Sequence, residues 1–287
     1  MSWFENILRA LDGRMETPTA YGWFHIVSWC IMIALIVVVC FTCREKKLSD
    51  KAFRIITITT ASIMILLEVY KQLNFSFNSA TGEWNYQWYA FPFQFCSTPM
   101  YVLLLAGLVR PGKFREFLCS FLATFGFLAG LLVMAMPGDV FISTIGINIQ
   151  TMVHHGLMVV IGIFMWVSGR AKTNIKTALK ALVVFVVIVA IAITLNEVVY
   201  ASGVLVPQHE TFNMFFISRH FPSTLPVFST IYPMVPWALF VLIYFAGFFV
   251  GALVITLLAM LIAWPCRKIA NRGVNDKTHV NGTRIQY

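Results

Sequence analysis

The 287 residues are 59% apolar and only 11% charged, which leaves too little polar surface to cover a water-soluble globule, so the bilayer is the natural solvent. Lys and Arg number 21 against 12 Asp and Glu. These bases sit in short loops between apolar runs instead of along one face, which excludes a nucleic-acid binder.

Taken in chain order, residues 1 to 21 place Trp3, Phe4, Ile7, Leu8 and Leu11 at helical spacing and predict a short amphipathic helix in the membrane interface. The first apolar run, 22 to 43, follows Glu5, Asp12 and Glu16 and is long enough to span, so it is expected to stay as a span and not to be cleaved. Crossing ~30 Å of hydrocarbon takes ~20 helical residues. Further runs at 54 to 73, 89 to 109, 117 to 136, 149 to 169, 180 to 200 and 240 to 264 bring the expected count to seven. The fold class is therefore an all-α polytopic membrane helix bundle.

Orientation follows from the basic residues. Arg44, Lys46, Lys47, Lys51 and Arg54 follow the first span; Arg110, Lys113 and Arg115 the third; Arg170, Lys172, Lys176 and Lys180 the fifth. Arg267, Lys268, Arg272, Lys277 and Arg284 lie in the tail, and the other side holds Arg9, Arg14, Lys71 and Arg219. The positive-inside rule puts the amino terminus outside and the basic tail, 266 to 287, in the cytoplasm, with a seven-helix domain at 22 to 265. Within it, 201 to 236 carries Pro207, Pro222, Pro226, Pro233 and Pro236 among aromatics, a pattern that predicts an ordered outer cap or re-entrant piece. Plasma membrane is the default location.

Ionisable groups inside a span cost roughly 2.5 to 3.5 kcal/mol each at mid-bilayer, so their depths are informative. Measured from the basic boundary at 1.5 Å per residue, Cys96, His155 and Glu68 fall at ~21 to 23 Å. Gln94, Asn196 and Glu197 fall at ~24 to 26 Å, and His25 higher still. Polar side chains from several spans at one depth predict a polar chamber in the outer third of the membrane. There Cys96 can serve as nucleophile, His155 or His154 as base, and Gln94 or Asn196 as oxyanion donors.

Plainer readings accompany each. A membrane Cys is usually structural, and a membrane His often only bonds one helix to another. Glu68 can pair with Lys71 one turn away and snorkel outward. Cys30 shares the depth of Cys96, so a disulfide between them is a rival. Cys40 and Cys43 form a C-x-x-C at the end of an apolar run and read as small fillers. The adjacent His154 and His155 cannot both face one site. The histidines offer no paired arrangement for haem, and no metal or other cofactor is expected.

The order of these features is familiar. FPFQFCSTP around Cys96, FGFLAGLLVMAMPGD ending in Pro137 and Asp139, and HHGLMVV around His155 resemble the YwaF family of bacterial integral membrane proteins. That family is grouped with eukaryotic transmembrane protein 164, a phospholipid acyltransferase. His25, Glu68, Asn196, Asn213 in the FNMFF run and Trp237 in VPW follow in the same order. The resemblance implies a thioester mechanism in which Cys96, aided by His155 of the His-Gly pair, takes an acyl group from a phospholipid and passes it to a lysophospholipid. The doubled histidine and FNMFF, where an Asn-Tyr pair is expected, depart from the pattern. The expected function is thus a glycerophospholipid acyltransferase or transacylase. The alternatives are a transporter or small-molecule receptor using Glu68, His155 and Glu197, and a non-catalytic lipid-binding protein.

Overall fold

The computed structural model describes residues 3–43, 48–138, 140–206 and 210–282, with side chains through 263. Arg44, Lys46, Lys47, Asp139, Pro207 and Arg284 lie outside the described residues, as do the side chains of Cys266, Arg267, Lys268, Arg272 and Lys277.

All regular structure among the described residues is helical, apart from isolated bridges at Arg14–Thr144 and Phe77–Trp84. The helices are α1 (Trp3–Leu11), α2 (Trp23–Thr42), α3 (Asp50–Ser76), α4 (Thr98–Leu108), α5 (Lys113–Phe121), α6 (Phe127–Ala135), α7 (Ile145–Val167), α8 (Lys176–Ala201), α9 (Phe228–Ile231) and α10 (Trp237–Gly282). A π-helical turn, Leu122–Gly126, joins α5 to α6, so that Lys113–Ala135 runs as one helix. Six helices are long and apolar enough to cross a membrane: α2, α3, α5 with α6, α7, α8 and the Trp237–Ala263 part of α10. The backbone of α10 continues as helix through Gly282, into the stretch expected to be a separate tail.

The run at 89 to 109, expected as a span, is not one helix. Only α4 is helical there, and its 11 residues rise ~16 Å, about half the hydrocarbon thickness. The physical reason is proline. Pro92 has no N–H to give a preceding turn, and Pro99 occupies the start of α4, where a missing donor costs nothing. From Phe91 to Ser97 the chain descends in turns. A second irregular stretch, 210 to 227, is also ordered within the bundle: Phe212, Met214, Phe215 and Ile217 are fully buried. Phe215 and Phe216 adopt left-handed φ of 61° and 53° there, a conformation that bulky residues hold only when their surroundings fix it.

Lipid-facing helices have no hydrophobic drive to associate, so close packing and hydrogen bonds hold them. A Cβ at Gly130 of α6 would stand 2.7 Å from the His155 carbonyl of α7. One at Gly107 of α4 would meet Thr57 Oγ1 of α3 at 2.6 Å. Glycine thus permits both crossings. Where α5, α8 and α10 meet, Phe185 stacks on Phe125 at 4.3 Å and packs edge-on to Phe95, which pins the irregular segment beside Cys96. Aromatic pairs of this kind contribute about 0.5 to 1.5 kcal/mol each.

The two ends of the bundle differ. At one, Asp50 takes ion pairs from Arg115 and Arg170, whose guanidinium groups also lie 5.0 and 4.7 Å from the Phe53 ring centroid. Lys180 meets Glu116 at 2.6 Å beside it. At the other end the amino-terminal segment is docked. Arg9 donates to the Ser79 carbonyl, Ser79 to Asp12, and Tyr70 to the Leu11 carbonyl at 3.1 Å. Trp3, Ile7 and Leu11 remain exposed.

Candidate functional site

An irregular backbone inside a bundle must find partners for every N–H and C=O, since neither water nor a helical ladder supplies them. The segment carrying Cys96 finds them in side chains from its neighbours. Gln72 of α3 donates to the Ala90 carbonyl at 2.6 Å, Tyr101 of α4 to the Pro92 carbonyl at 2.9 Å, and Glu210 accepts the Trp88 N–H at 2.5 Å. His154 of α7 completes the set, its Nε2 lying 3.0 Å from the Cys96 carbonyl.

That last bond fixes a tautomer. A carbonyl only accepts, so Nε2 of His154 carries the proton, and with one proton per ring Nδ1 is a bare acceptor. His155 repeats the situation in mirror form. Its Nδ1 donates to the Thr151 carbonyl one turn back at 2.7 Å, which leaves Nε2 bare. Both bare nitrogens are buried with no hydrogen-bond partner. The rings lie 5.5 Å apart, so α7 offers two proton acceptors side by side. Of the pair, His154 is the one that bonds to the cysteine residue itself.

Cys96 is half-buried and immediately precedes Ser97, the N-cap of α4. It therefore lies at the positive end of that helix. Glu68 and Lys71 of α3 are close enough to act electrostatically on both Cys96 and His154. The two are paired at 2.7 Å, and Glu68 is only 3% exposed, so the pair stays in the bundle and does not snorkel out. Gln72 also donates to Glu68 at 2.9 Å and accepts from Tyr86 at 3.0 Å. Burial pushes the Tyr86 phenol up to about 12, so it remains a donor at any ordinary pH.

The remaining predicted residues divide. Gln94, on the cysteine segment, accepts the Phe215 N–H at 3.3 Å and donates towards the Asn213 carbonyl at 3.5 Å, which ties the two irregular stretches together. Asn196 clamps Met214, accepting its N–H at 2.8 Å and donating to its carbonyl at 3.1 Å. Asn213 spans its own loop, accepting from the Ser218 N–H at 2.9 Å and donating to the Pro222 carbonyl at 3.0 Å. Two residues point elsewhere. Glu197 pairs with Arg219 at 3.3 Å and His220 at 3.1 Å. His25 accepts the Tyr21 N–H at 2.9 Å and donates to the Met134 carbonyl at 2.7 Å, joining α2 to the end of α6. The sequence puts both in the outer third of the membrane, but neither joins the cysteine.

Cys30 and Cys96 are both free thiols, so the rival disulfide is not formed. No group of three or more His, Cys, Asp or Glu able to hold a metal ion occurs among the described residues.

Residues 20–264 match the model of the TMEM164 family. The chain belongs to that family. The match covers every residue of the cysteine and histidine constellation, and together with the six apolar helices it makes this a multi-pass membrane protein. No curated protein and no solved structure matches the chain. Sequence reasoning missed Gln72, Tyr86 and Glu210. Gln72 had a signal, since it lies one helical turn beyond Glu68 on the same face of an apolar helix. Glu210 had none, because nothing local ties that loop to Trp88.

Proposed function

We propose that this protein is a membrane transacylase that carries a fatty acyl group on Cys96 between glycerophospholipids. The observation that carries the reading is the pair of buried, unpartnered imidazole nitrogens beside a half-buried cysteine at a helix amino terminus. A neutral imidazole that donates to one carbonyl keeps its other nitrogen as an acceptor, and beside a thiol that nitrogen can take a proton.

In the scheme, one bare imidazole nitrogen takes the thiol proton of Cys96. The helix end and the Lys71 ammonium favour the charge that develops on sulfur. The thiolate attacks an ester carbonyl of the donor lipid. The ester C–O bond breaks, the leaving lysolipid oxygen recovers the proton from the imidazolium, and the acyl group stays on sulfur. In the second half the imidazole takes the proton of an incoming lysophospholipid hydroxyl, whose oxygen attacks the thioester. The new ester forms and the thiol is restored.

His154, anchored to the cysteine residue, fills the base role in this reading, with His155 beside it to accept the proton or hold the hydroxyl. Glu68 balances Lys71. At the same end of the bundle as the docked amino-terminal segment, a polar cavity of about 520 Å³ lined by Asp12, Asn74, Asn85, Gln87 and Tyr89 among others leaves room for a head group. In this reading Phe91–Leu108 completes a seventh crossing as turns plus half-helix, with the amino terminus external.

The test is turnover by purified protein in vesicles holding a labelled diacyl phospholipid and an unlabelled lysophospholipid. The wild type is expected to move label to the acceptor, and Cys96→Ala to move none while its helical content is unchanged. Transfer at the wild-type rate by Cys96→Ala ends the proposal.

A further inference from the structure

Among the described residues, the basic end of the bundle holds more positive charge than its two carboxylates, Asp50 and Glu116, use. Asp50 is taken by Arg115 and Arg170, and Glu116 by Lys180 and Lys172. Lys51, Arg54, Arg110, Lys113 and Lys176 have no carboxylate within 4.0 Å among the described residues. The amino termini of α3, α5 and α8 all open at this end, which adds the positive pole of three long helices.

Within this field an open groove of about 500 Å³ runs along the outer face of α3, lined by Asp50, Lys51, Arg54, Ile55, Ile58 and Thr59. Its shape follows from α3. Positions 51, 55, 58 and 59 form one stripe at helical spacing, basic at the mouth, with Ile55 and Ile58 beside Thr59 one to two turns down. Lys51, Ile55 and Thr59 are exposed, so the stripe faces outward along a helix apolar enough to span. Arg54 donates to the Leu108 carbonyl at 3.2 Å, the last residue of α4. That single bond holds the guanidinium in place and leaves its other donors for a ligand. Asp50 lines the mouth too, but its carboxylate is turned to Arg115 and Arg170.

We propose that this groove is a binding site for an anionic diacyl lipid. Lys51 and the fixed Arg54 take the phosphate, and a chain lies along Ile55 and Thr59. A free phosphate would use the same two cations but has nothing to place on the apolar wall. The site is separate from Cys96: the lipid here is held, and no bond in it is broken. An anchored Arg is suited to this role because it loses little freedom on meeting the phosphate, and bases at a membrane surface each add about fivefold to anionic-lipid binding.

Native mass spectrometry of the detergent-solubilised full chain tests it, with phosphatidylglycerol as anionic probe, phosphatidylcholine as zwitterionic probe and inorganic phosphate as competitor. The wild type is expected to retain phosphatidylglycerol at least tenfold better than phosphatidylcholine. Lys51→Ala with Arg54→Ala should remove that preference, and Lys176→Ala, at the same end but outside the groove, should keep it. Thr59→Trp, at an exposed position with every charge intact, should weaken lipid retention by filling the apolar wall. If the double variant does not fold, Lys51→Ala alone carries the charge arm at an exposed site, with an expected loss of about fivefold. Equal retention of the two lipids, an unchanged preference in the Lys51 variants, or no effect of Thr59→Trp overturns the proposal. Displacement of the lipid by millimolar inorganic phosphate does so as well, because it marks a site for the free anion.

Discussion

The crossing of α6 with α7 and the descent from Trp88 to Ser97 lie side by side, and they solve opposite problems. Along the interiors of α6 and α7 the helical ladder pairs the backbone, so the crossing itself does not depend on side chains to satisfy it. What it needs is proximity, which Gly130 supplies by letting the His155 carbonyl come where a Cβ would stand at 2.7 Å. Along Trp88 to Ser97 the ladder is absent, and Gln72, Tyr101, Glu210 and His154 each reach in to satisfy one backbone group. Polar side chains thus collect where helix is missing, and at that place they become available for chemistry. His154 takes part in both regions, since it sits on the regular helix and bonds to the irregular one.

The largest expected effect comes from breaking that link. His154→Ala should lower acyl transfer by about 10² to 10⁴-fold, the usual loss when an acid–base group is removed, and should also free the Cys96 carbonyl. His155→Ala, whose ring bonds only within α7, should lower transfer without disturbing the cysteine segment. Rates in vesicles separate the two from wild type, and proteolysis of the 88–97 stretch separates them from each other. Wild-type rates from both variants would detach the histidines from the chemistry.

Next comes the second irregular stretch. Asn196→Ala leaves both the N–H and the carbonyl of Met214 unmet in a buried place, at roughly 2 to 4 kcal/mol for the two groups. The expected result is an early thermal unfolding transition in detergent, with Asn196→Asp, which still accepts the N–H, falling between. A transition unchanged from wild type would mean that water reaches Met214.

The regular crossing gives a smaller and different loss. Gly130→Ala pushes a Cβ against backbone, so the helices must part, at about 1 to 3 kcal/mol. Gly146→Ala places its Cβ even closer, 2.0 Å from Tyr70 Oη, yet that is the tip of a side chain able to swing away. Thermal unfolding is expected to rank Gly130→Ala below Gly146→Ala, and the reverse order would show that Tyr70 is the more rigid partner. Smallest of all is Tyr101→Phe, which removes one half-exposed bond to the Pro92 carbonyl and should cost about 0.5 to 1.5 kcal/mol.

These contrasts also explain how much the sequence conveyed. Six of the helices were legible because long apolar runs with basic ends admit few other structures in lipid. Rise per residue converts sequence distance into height, and on that measure Cys96 and the α7 histidines fall together, of which His154 bonds to Cys96. Azimuth was not legible. Depth alone grouped His25 and Glu197 with Cys96, although their rings and carboxylates turn to Met134 and to Arg219. The break at 88 to 97 is half legible: Pro92 inside an apolar run signals a bend, while Pro99, which starts α4 late and shortens it, fits a helix start as readily. Which histidine meets the cysteine depends on α7 packing, and no local pattern encodes it.

The central claim is that sulfur carries the acyl group, and peptide-mapped mass spectrometry of protein incubated with donor phospholipid alone tests it most directly. The account predicts an acyl adduct on Cys96, labile to hydroxylamine, that builds up without acceptor and disappears when lysophospholipid is added. Turnover with an acyl-free Cys96 peptide, or an adduct confined to Cys40, Cys43 or Cys266, would contradict it.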